Sequence, residues 1–423
     1  MQISWLSVAT LSWFALSACS GKETGSSAGT PAASPSASTP PDLQLVESWP
    51  VETALDHPDI PDAHEVWVTM IDAAERSIDI EQFYGSNASP SRLDAIVAAL
   101  DRAARRGVAI RLLFGKQFYA SQYSDVPDQL AALPGATLRI IDMRALTGGV
   151  QHAKFFVVDG RDAYFGSQNF DWRSITHVLE LGARIRQPDL VAAVAAVFEM
   201  DWQLAGPDGK NLAGTSPAAG LGARFPVTVE YRGQPVEIRP AASPTGWLPD
   251  ESMWDLPRLY ELIDSAETRV RVQVLSYAVE NHDGTSDRGL DDALRRAAAR
   301  GVTIELLLAD WNKGPRSIGA LQALQRLDNV TVKLVTIPQY SGGFIPFARV
   351  IHAKLATVDG ARSWLSTSNF ALDYFTKSRG LSLFFTGASI TGDLDRFFET
   401  TWNSEYAEAV DPDARYEPAR IAE

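Results

Sequence analysis

The chain has 423 residues, of which 45% are hydrophobic, 9% aromatic and 21% charged, the composition of a folded protein with room for roughly two to four domains. Its 38 basic and 52 acidic residues leave a net charge of −14, which excludes a general duplex-DNA binder driven by counterion release; any contact with a nucleic-acid or lipid phosphate must be local. One cysteine, Cys19, excludes an intrachain disulfide, an iron–sulfur cluster and a thiolate zinc site.

Residues 1–18 carry no charged side chain, and the apolar run from Ile3 to Ala18 is short for a membrane span but suits the hydrophobic region of a signal peptide. It ends in Leu16-Ser17-Ala18-Cys19, which is similar to the bacterial lipobox. That resemblance implies acylation of Cys19 and an exported lipoprotein anchored on the periplasmic or cell-surface side of a membrane; an ordinary cleaved signal peptide is the alternative. Residues 19–42 are rich in Ser, Ala, Thr, Pro and Gly and have little to bury, so they read as a disordered tether of about 25 to 30 Å root-mean-square span.

The remainder contains an internal repeat. The strings AHEVWVTMIDAAERSIDIEQFYGS (63–86) and SMWDLPRLYELIDSAETRVRVQVLSYA (252–278) share one order of elements, a helical pattern and then a β-rich run. RLDAIVAALDRAARRGVAIRLLF (92–114) and RGLDDALRRAAARGVTIELLL (288–308) each predict a helix with Leu and Ala at three- and four-residue spacing, stopped by Gly107 or Gly301 and followed by an apolar strand. QHAKFFVVDGRDAYFGSQNF (151–170) and IHAKLATVDGARSWLSTSNF (351–370) then correspond, their histidines 200 residues apart. The expected architecture is α/β: two halves, 43–204 and 226–410, joined by a Gly/Pro/Ala-rich linker (205–225), followed by a tail (411–423), and paired about a pseudo-twofold axis. Equivalent loops then meet at the seam.

Within each copy stand His, one residue, Lys, four residues and Asp: His152, Lys154 and Asp159, then His352, Lys354 and Asp359. A small polar turn ending in Asn follows: Gly166-Ser167-Gln168-Asn169, then Ser366-Thr367-Ser368-Asn369. On a strand, i and i+2 share a face, so His and Lys are expected to point together, with Asp159 and Asp359 at the opposite parity and in a supporting place. A single His-x-Lys is ordinary polar surface, but a structural repeat has no evident need to keep two of the chain's 6 histidines in one signature.

The paired motifs HAKFFVVDGRDAYFGSQN and HAKLATVDGARSWLSTSN closely resemble those of the phospholipase D superfamily, over nearly all of residues 45–410. GSQNFDWRSITHVLELG (166–182), IPFARVIHAK (345–354) and STSNFALDYFTKSRG (366–380) are similar to its endolysosomal subgroup, associated with 5′ exonuclease action on single-stranded nucleic acid and with phospholipid transesterification. The resemblance implies two phospholipase D-like α/β/α sandwich halves and a phosphodiesterase that works through a phosphohistidine, on phospholipid or single-stranded nucleic acid, with no metal or other cofactor. It implies His152 as nucleophile and His352 as acid, the reverse being open by symmetry. Lys154, Lys354, Ser167, Asn169, Thr367, Ser368 and Asn369 are expected around the phosphoryl oxygens. Glu180 matches a glutamate that orients a catalytic histidine; the second half has Ser378-Arg379-Gly380 there, and Ser366 in place of a glycine. With both motifs in one chain a monomer suffices.

Other clusters are weaker. Asp56, His57, Asp59, Asp62 and His64 read as loop and N-cap chemistry before a metal site. Glu280, His282, Asp283 and Asp287 read as a solvated loop near the substrate entrance, and His177 as neighbouring structure. Phe118, Tyr119, Tyr123, Trp311, Tyr340 and Phe344 stack bases, contact acyl chains or pack a core. The competing function is a non-catalytic, lipid-anchored surface protein that binds phosphate in the same pocket; the missing second glutamate is its one support.

Overall fold

The apolar spacing of the two repeated helices becomes buried stripes. Leu93, Ile96, Ala99, Leu100, Ala103 and Ala104 are buried on the helix Leu93–Arg105, and Leu290, Ala293, Leu294, Ala297 and Ala298 on Gly289–Ala299. Each helix ends at a glycine with left-handed backbone, Gly107 (φ +89°) and Gly301 (φ +90°), and the chain turns directly into Ala109–Gly115 or Thr303–Ala309. This computed structural model describes residues 41–207, 209–281 and 284–422. The signal region 1–18, Cys19 and nearly all of the tether lie outside the described residues, as do His282 and Asp283.

Both halves use one strand order. In the first it is Leu43–Ser48, Val178–Ile185, Asp162–Gly166, Phe155–Val158, Ser77–Gln82, Ala109–Gly115, Ala136–Ile141. In the second, Gln234–Ser243, Gly380–Thr386, Arg362–Ser366, Lys354–Val358, Arg269–Val274, Thr303–Ala309, Val330–Val335 follow the same path, with Val227–Tyr231 and Ala407–Ala409 added at the edges. Along each of these paths the three strands joined through helices pair parallel and the others antiparallel. Each sheet thus carries helices on both faces, the layered α/β/α plan the repeat implied.

Three apolar cores result. Two are private, around Trp67, Met70 and Leu100 in the first half and around Leu259, Leu294 and Trp364 in the second. The third is shared: the inner faces of both sheets bury Phe155, Leu179, Leu355 and Leu383 together with Phe198 and Phe397 of the long helices Pro188–Leu204 and Ala388–Trp402. Burial of such side chains contributes about 1.5–3 kcal/mol each.

The motif aspartates fasten this scaffold. Asp159 takes a left-handed conformation (φ 54°) at the turn after Phe155–Val158, and its carboxylate accepts the backbone N–H groups of Glu75, Arg76 and Ser77 at 3.0, 2.7 and 2.9 Å. Asp359 (φ 54°) repeats this with Glu267, Thr268 and Arg269 at 3.0, 2.9 and 2.9 Å. Burial alone raises the pKa of each carboxyl, but the N–H donors outweigh it, holding Asp359 at about 2 and Asp159 below its ordinary value. A carboxylate tied so tightly joins the turn to the helix–strand junction beside it. Asp159→Asn and Asp359→Asn are therefore expected to lower the melting temperature, by about 1–3 kcal/mol of stability for each set of charged hydrogen bonds lost. Activity per folded molecule should be retained, read by calorimetry beside an assay; a loss of turnover with unchanged stability contradicts this placement.

Candidate active site

Each histidine segment leaves its own half to pair with the other. His352 N–H donates to the Leu179 carbonyl at 2.8 Å, and Val350–Ile351 adds as a parallel strand to Val178–Ile185. Reciprocally, His152 N–H donates to the Arg379 carbonyl at 2.9 Å and Arg379 N–H to the Val150 carbonyl at 2.9 Å. His152 and Lys154 accordingly lie ahead of the strand Phe155–Val158, in a stretch whose backbone is committed to the opposite half, whereas Lys354 begins its strand. The expectation of His and Lys side by side on a regular strand is corrected by this crossing.

The crossing brings the imidazoles into one cavity of about 260 Å³, with Asn169, Asn369 and Glu180 on its walls. A larger groove of about 380 Å³ on the second half, lined by Arg239, Arg258 and Arg362, contains no motif residue, so size does not locate the site. His352 Nδ1 meets Glu180 Oε2 at 2.7 Å, and the other carboxylate oxygen accepts from Ser174 Oγ at 2.9 Å. Glu180 and Ser174 belong to the first half and serve the histidine of the second.

The symmetric position around His152 is built differently. Register places Glu180 opposite Ser48 and Gly380 opposite Ser243, so Gly380 occupies the glutamate's place. A Cβ there collides with the Oγ atoms of Ser368 and Ser243, which leaves no space for an acid. Tyr374 stands where the first half has Ser174, its ring edge-on to His152 at 4.8 Å between centroids, and Phe83 approaches the imidazole from another side at 4.9 Å. His152 Nδ1 is buried and has no hydrogen-bond partner.

Burial lowers the pKa of both histidines, and the two lysines lower them further. For His352, Glu180 opposes the fall, leaving it at about 4; His152, with no carboxylate and both Lys154 and Lys354 near, is pushed well below its ordinary value. The carboxylate beside it sets His352 apart as the imidazole better placed to hold a proton. Both ammonium groups are buried, and each Nζ donates to the backbone carbonyl of the histidine two residues before it. Burial lowers both lysine pKa values, Lys354 to about 7 with Glu180 opposing.

Not every expected phosphate ligand faces the cavity. Ser167 Oγ accepts from Leu181 N–H at 3.0 Å, and Thr367 Oγ1 from Leu381 N–H at 3.0 Å, so both hydroxyls fasten the turn to the next strand. Ser368 Oγ is buried beneath Gly380 without a hydrogen-bond partner. Asn169 and Asn369 do reach the cavity, and Asn169 Nδ2 lies 3.5 Å from Tyr84 OH. Of the aromatic residues singled out in the sequence, Phe118, Tyr123 and Trp311 line the walls. Tyr119 instead donates to Asp128 at 2.8 Å, Tyr340 meets His177 edge-on at 4.8 Å, and Phe344 lies under Arg420. Phe83, Tyr84, Phe347, Tyr374 and Arg173 also line the cavity. The sequence reading missed these; for Tyr374 alone the repeat holds a signal, since it stands five residues beyond Asn369 as Ser174 does beyond Asn169.

In the weaker clusters, His57 pairs with the buried Glu47 at 2.8 Å, Asp59 with Arg232 and Arg396, and Asp62 makes no capping hydrogen bond from its side chain. Glu280 bridges to Ser286 away from the cavity lining. The seam itself is held by Arg379, fully buried, whose guanidinium pairs with Asp201 of the first half at 2.7 Å and donates to the Ser243 and Trp247 carbonyls at 2.6 Å.

A duplicated α/β/α fold with two His-x-Lys segments converging on one cavity defines a phospholipase D-type enzyme. The profile described as "Cardiolipin synthase, PLD-like domain" matches residues 67–202 and 259–402, and the chain belongs to that phospholipase D-like family as an enzyme of phosphodiester bonds. It is 32% identical to the 5′-3′ exonuclease PLD4 of Homo sapiens over 88% of this chain and 79% of the relative. Similarity to phospholipase D Z of Dictyostelium discoideum is 30% over 86% of this chain and 90% of that one. Among solved structures, phosphatidylserine synthase of Haemophilus influenzae Rd KW20 shares the fold with a TM-score of 0.59 at 10% identity, covering 82% of this chain and 85% of that chain.

Arg379→Met leaves Asp201 buried without its cation and is expected to destabilise the protein by about 3–5 kcal/mol in denaturant unfolding. Because the residue 379 backbone also positions His152, activity should fall in parallel; unchanged stability contradicts the clamp.

Proposed function

We propose that the protein is a metal-independent phosphodiesterase that cleaves single-stranded nucleic acid from its 5′ end through a phosphohistidine on His152. The observation that carries the reading is the unequal setting of two imidazoles in one cavity: both feel the two lysines, and His352 alone is hydrogen-bonded to a carboxylate. The neutral His152 attacks phosphorus while the protonated His352 gives its proton to the leaving oxygen, so one P–N bond forms and one P–O bond breaks. His352, now neutral, takes a proton from water, whose oxygen displaces His152. Asn169 and Asn369 donate to the phosphoryl oxygens, and Lys154 and Lys354 supply positive charge from beneath. The bound phosphodiester anion raises the affinity of His352 for its proton.

Two facts favour nucleic acid. The walls carry Phe83, Tyr84, Phe118, Tyr123, Trp311 and Phe347, flat surfaces on which a base stacks. The PLD4 and PLD3 relatives, at 30–32% identity, are named 5′-3′ exonucleases. The second reading, phospholipid cleavage, is favoured by the similarity to phospholipase D Z and, at the N-terminus, by the lipobox-like string ending at Cys19, read here as a membrane anchor of an exported protein.

His152→Ala and His352→Ala should each reduce turnover at least about a hundredfold on 5′-hydroxyl single-stranded oligonucleotides in chelator. Acid quenching of the wild type should trap phosphate on His152. Cleavage that disappears in chelator, or that persists in both variants, sinks the covalent scheme; cleavage of phospholipid vesicles alone selects the second reading.

The sign of the pH dependence follows from His352. It acts protonated, and its protonated fraction falls as pH rises through its pKa, so kcat/KM should decline from the acidic side upward. Glu180→Gln removes the charge that holds that pKa up, and the decline should move to lower pH, the activity on its falling limb dropping about tenfold for every tenfold weakening of proton affinity. A profile that keeps its position contradicts the assignment of His352 as the acid.

A further inference from the structure

Two cavities adjoin the catalytic one. The first, about 270 Å³, shares Phe83 and Phe118 with it, and its Lys116 is already neutralised by Asp142 at 2.8 Å. The second, about 280 Å³, shares Trp311, and Lys313, Arg349 and Arg420 line it. Arg349 is the informative member. Its side chain is more than nine-tenths buried, at 8% exposure. Nε donates to the Pro338 carbonyl at 2.7 Å and Nη1 to the Val51 carbonyl at 2.6 Å, while Nη2 is buried with no hydrogen-bond partner.

Among the described residues no carboxylate stands within ion-pairing distance of Arg349. Glu52, whose charge reaches it, is engaged by Ser341 N–H at 2.9 Å and Ser341 Oγ at 2.5 Å. Burial lowers the pKa of Arg349. A buried cation without a counter-ion is unfavourable, and an anion above it relieves that. Lys313 Nζ has one neutral partner, Thr336 Oγ1 at 3.3 Å, and Arg420 lies over the Phe344 ring at 3.8 Å. Asp310 and Glu417 also border the cavity, and neither is within ion-pairing distance of Lys313, Arg349 or Arg420 among the described residues.

We propose that this cavity is a second phosphate subsite, taking the next phosphodiester along a single strand whose first phosphodiester lies between His152 and His352. Trp311 forms the partition, with its ring available to the sugar or base between the two phosphates. The proposal rests on the nuclease reading above and adds what holds the strand in place. It also locates the patch of positive charge that a protein of net charge −14 needs in order to take a polyanion. A phospholipid with a single phosphodiester leaves the subsite unused.

The test uses the double variant Lys313→Gln/Arg420→Gln in the full chain, leaving Arg349 and the catalytic cavity intact. For a 5′-hydroxyl single-stranded decamer, KM should rise about tenfold with kcat little changed, the mark of reduced uniform binding. The dependence of log(kcat/KM) on log salt should become shallower by about 0.7 for each phosphate that the variant no longer neutralises. The nitrophenyl ester of thymidine 3′-phosphate, with one phosphodiester and a free 5′-hydroxyl, should be cleaved as by the wild type, which also shows that the variant is folded. Lys313→Arg should behave as wild type on both substrates. An unchanged KM and salt slope for the decamer overturn the subsite. A wild type that cleaves the ester and phospholipid vesicles but not the decamer also overturns it. A wild type inert on the ester brings down the phosphodiesterase reading itself.

Discussion

The chemistry of this protein depends on a main-chain exchange at the seam between its halves. The backbone N–H of each motif histidine is held by a carbonyl of the opposite half, Leu179 for His352 and Arg379 for His152. Backbone hydrogen bonds fix a side chain's origin more firmly than side-chain contacts can, because they leave no rotamer to choose. Each imidazole is therefore positioned by the half it does not belong to. The shared core and the Arg379–Asp201 pair keep the halves in the register the exchange needs.

Within that frame the two sites have diverged. Ser174 and Glu180 surround one imidazole with a hydrogen-bonded carboxylate, and Tyr374 and Gly380 surround the other with an aromatic edge and no acid. The result is an electrostatic order between otherwise equivalent groups. A carboxylate favours imidazolium and neighbouring ammonium groups disfavour it, so the two imidazoles stand in different electrostatic settings before any substrate arrives.

Much of this was legible in the sequence. The helix–glycine–strand units at 92–114 and 288–308 announced the parallel core, because a periodic apolar stripe and a left-handed stop are local properties. The repeated His-x-Lys signature announced a shared site, and the gap at Ser378-Arg379-Gly380 announced its asymmetry. What stayed hidden was long-range. Ser167 and Thr367 have hydroxyls suited to phosphate, yet strand pairing turns them onto the Leu181 and Leu381 amides. Phe83 and Tyr84 reach the cavity from the end of the strand Ser77–Gln82, and Phe347 from a loop of the other half. Their sequence spacing carries no trace of that meeting, since apolar residues after a strand fit a core equally well. Arg349 likewise reads as an ordinary surface charge until the fold buries it.

The core shared by the helices Pro188–Leu204 and Ala388–Trp402 also bears on why this enzyme is one polypeptide. A homodimer built from one such half, closed about a true twofold axis, places the same residue beside both histidines; Glu180 on one side obliges glutamate on the other. Fusing the copies releases that obligation, so the glycine at 380 and the acid at 180 can coexist. Covalent linkage here frees each side to specialise, more than it adds adhesion to an interface already sealed by apolar contact.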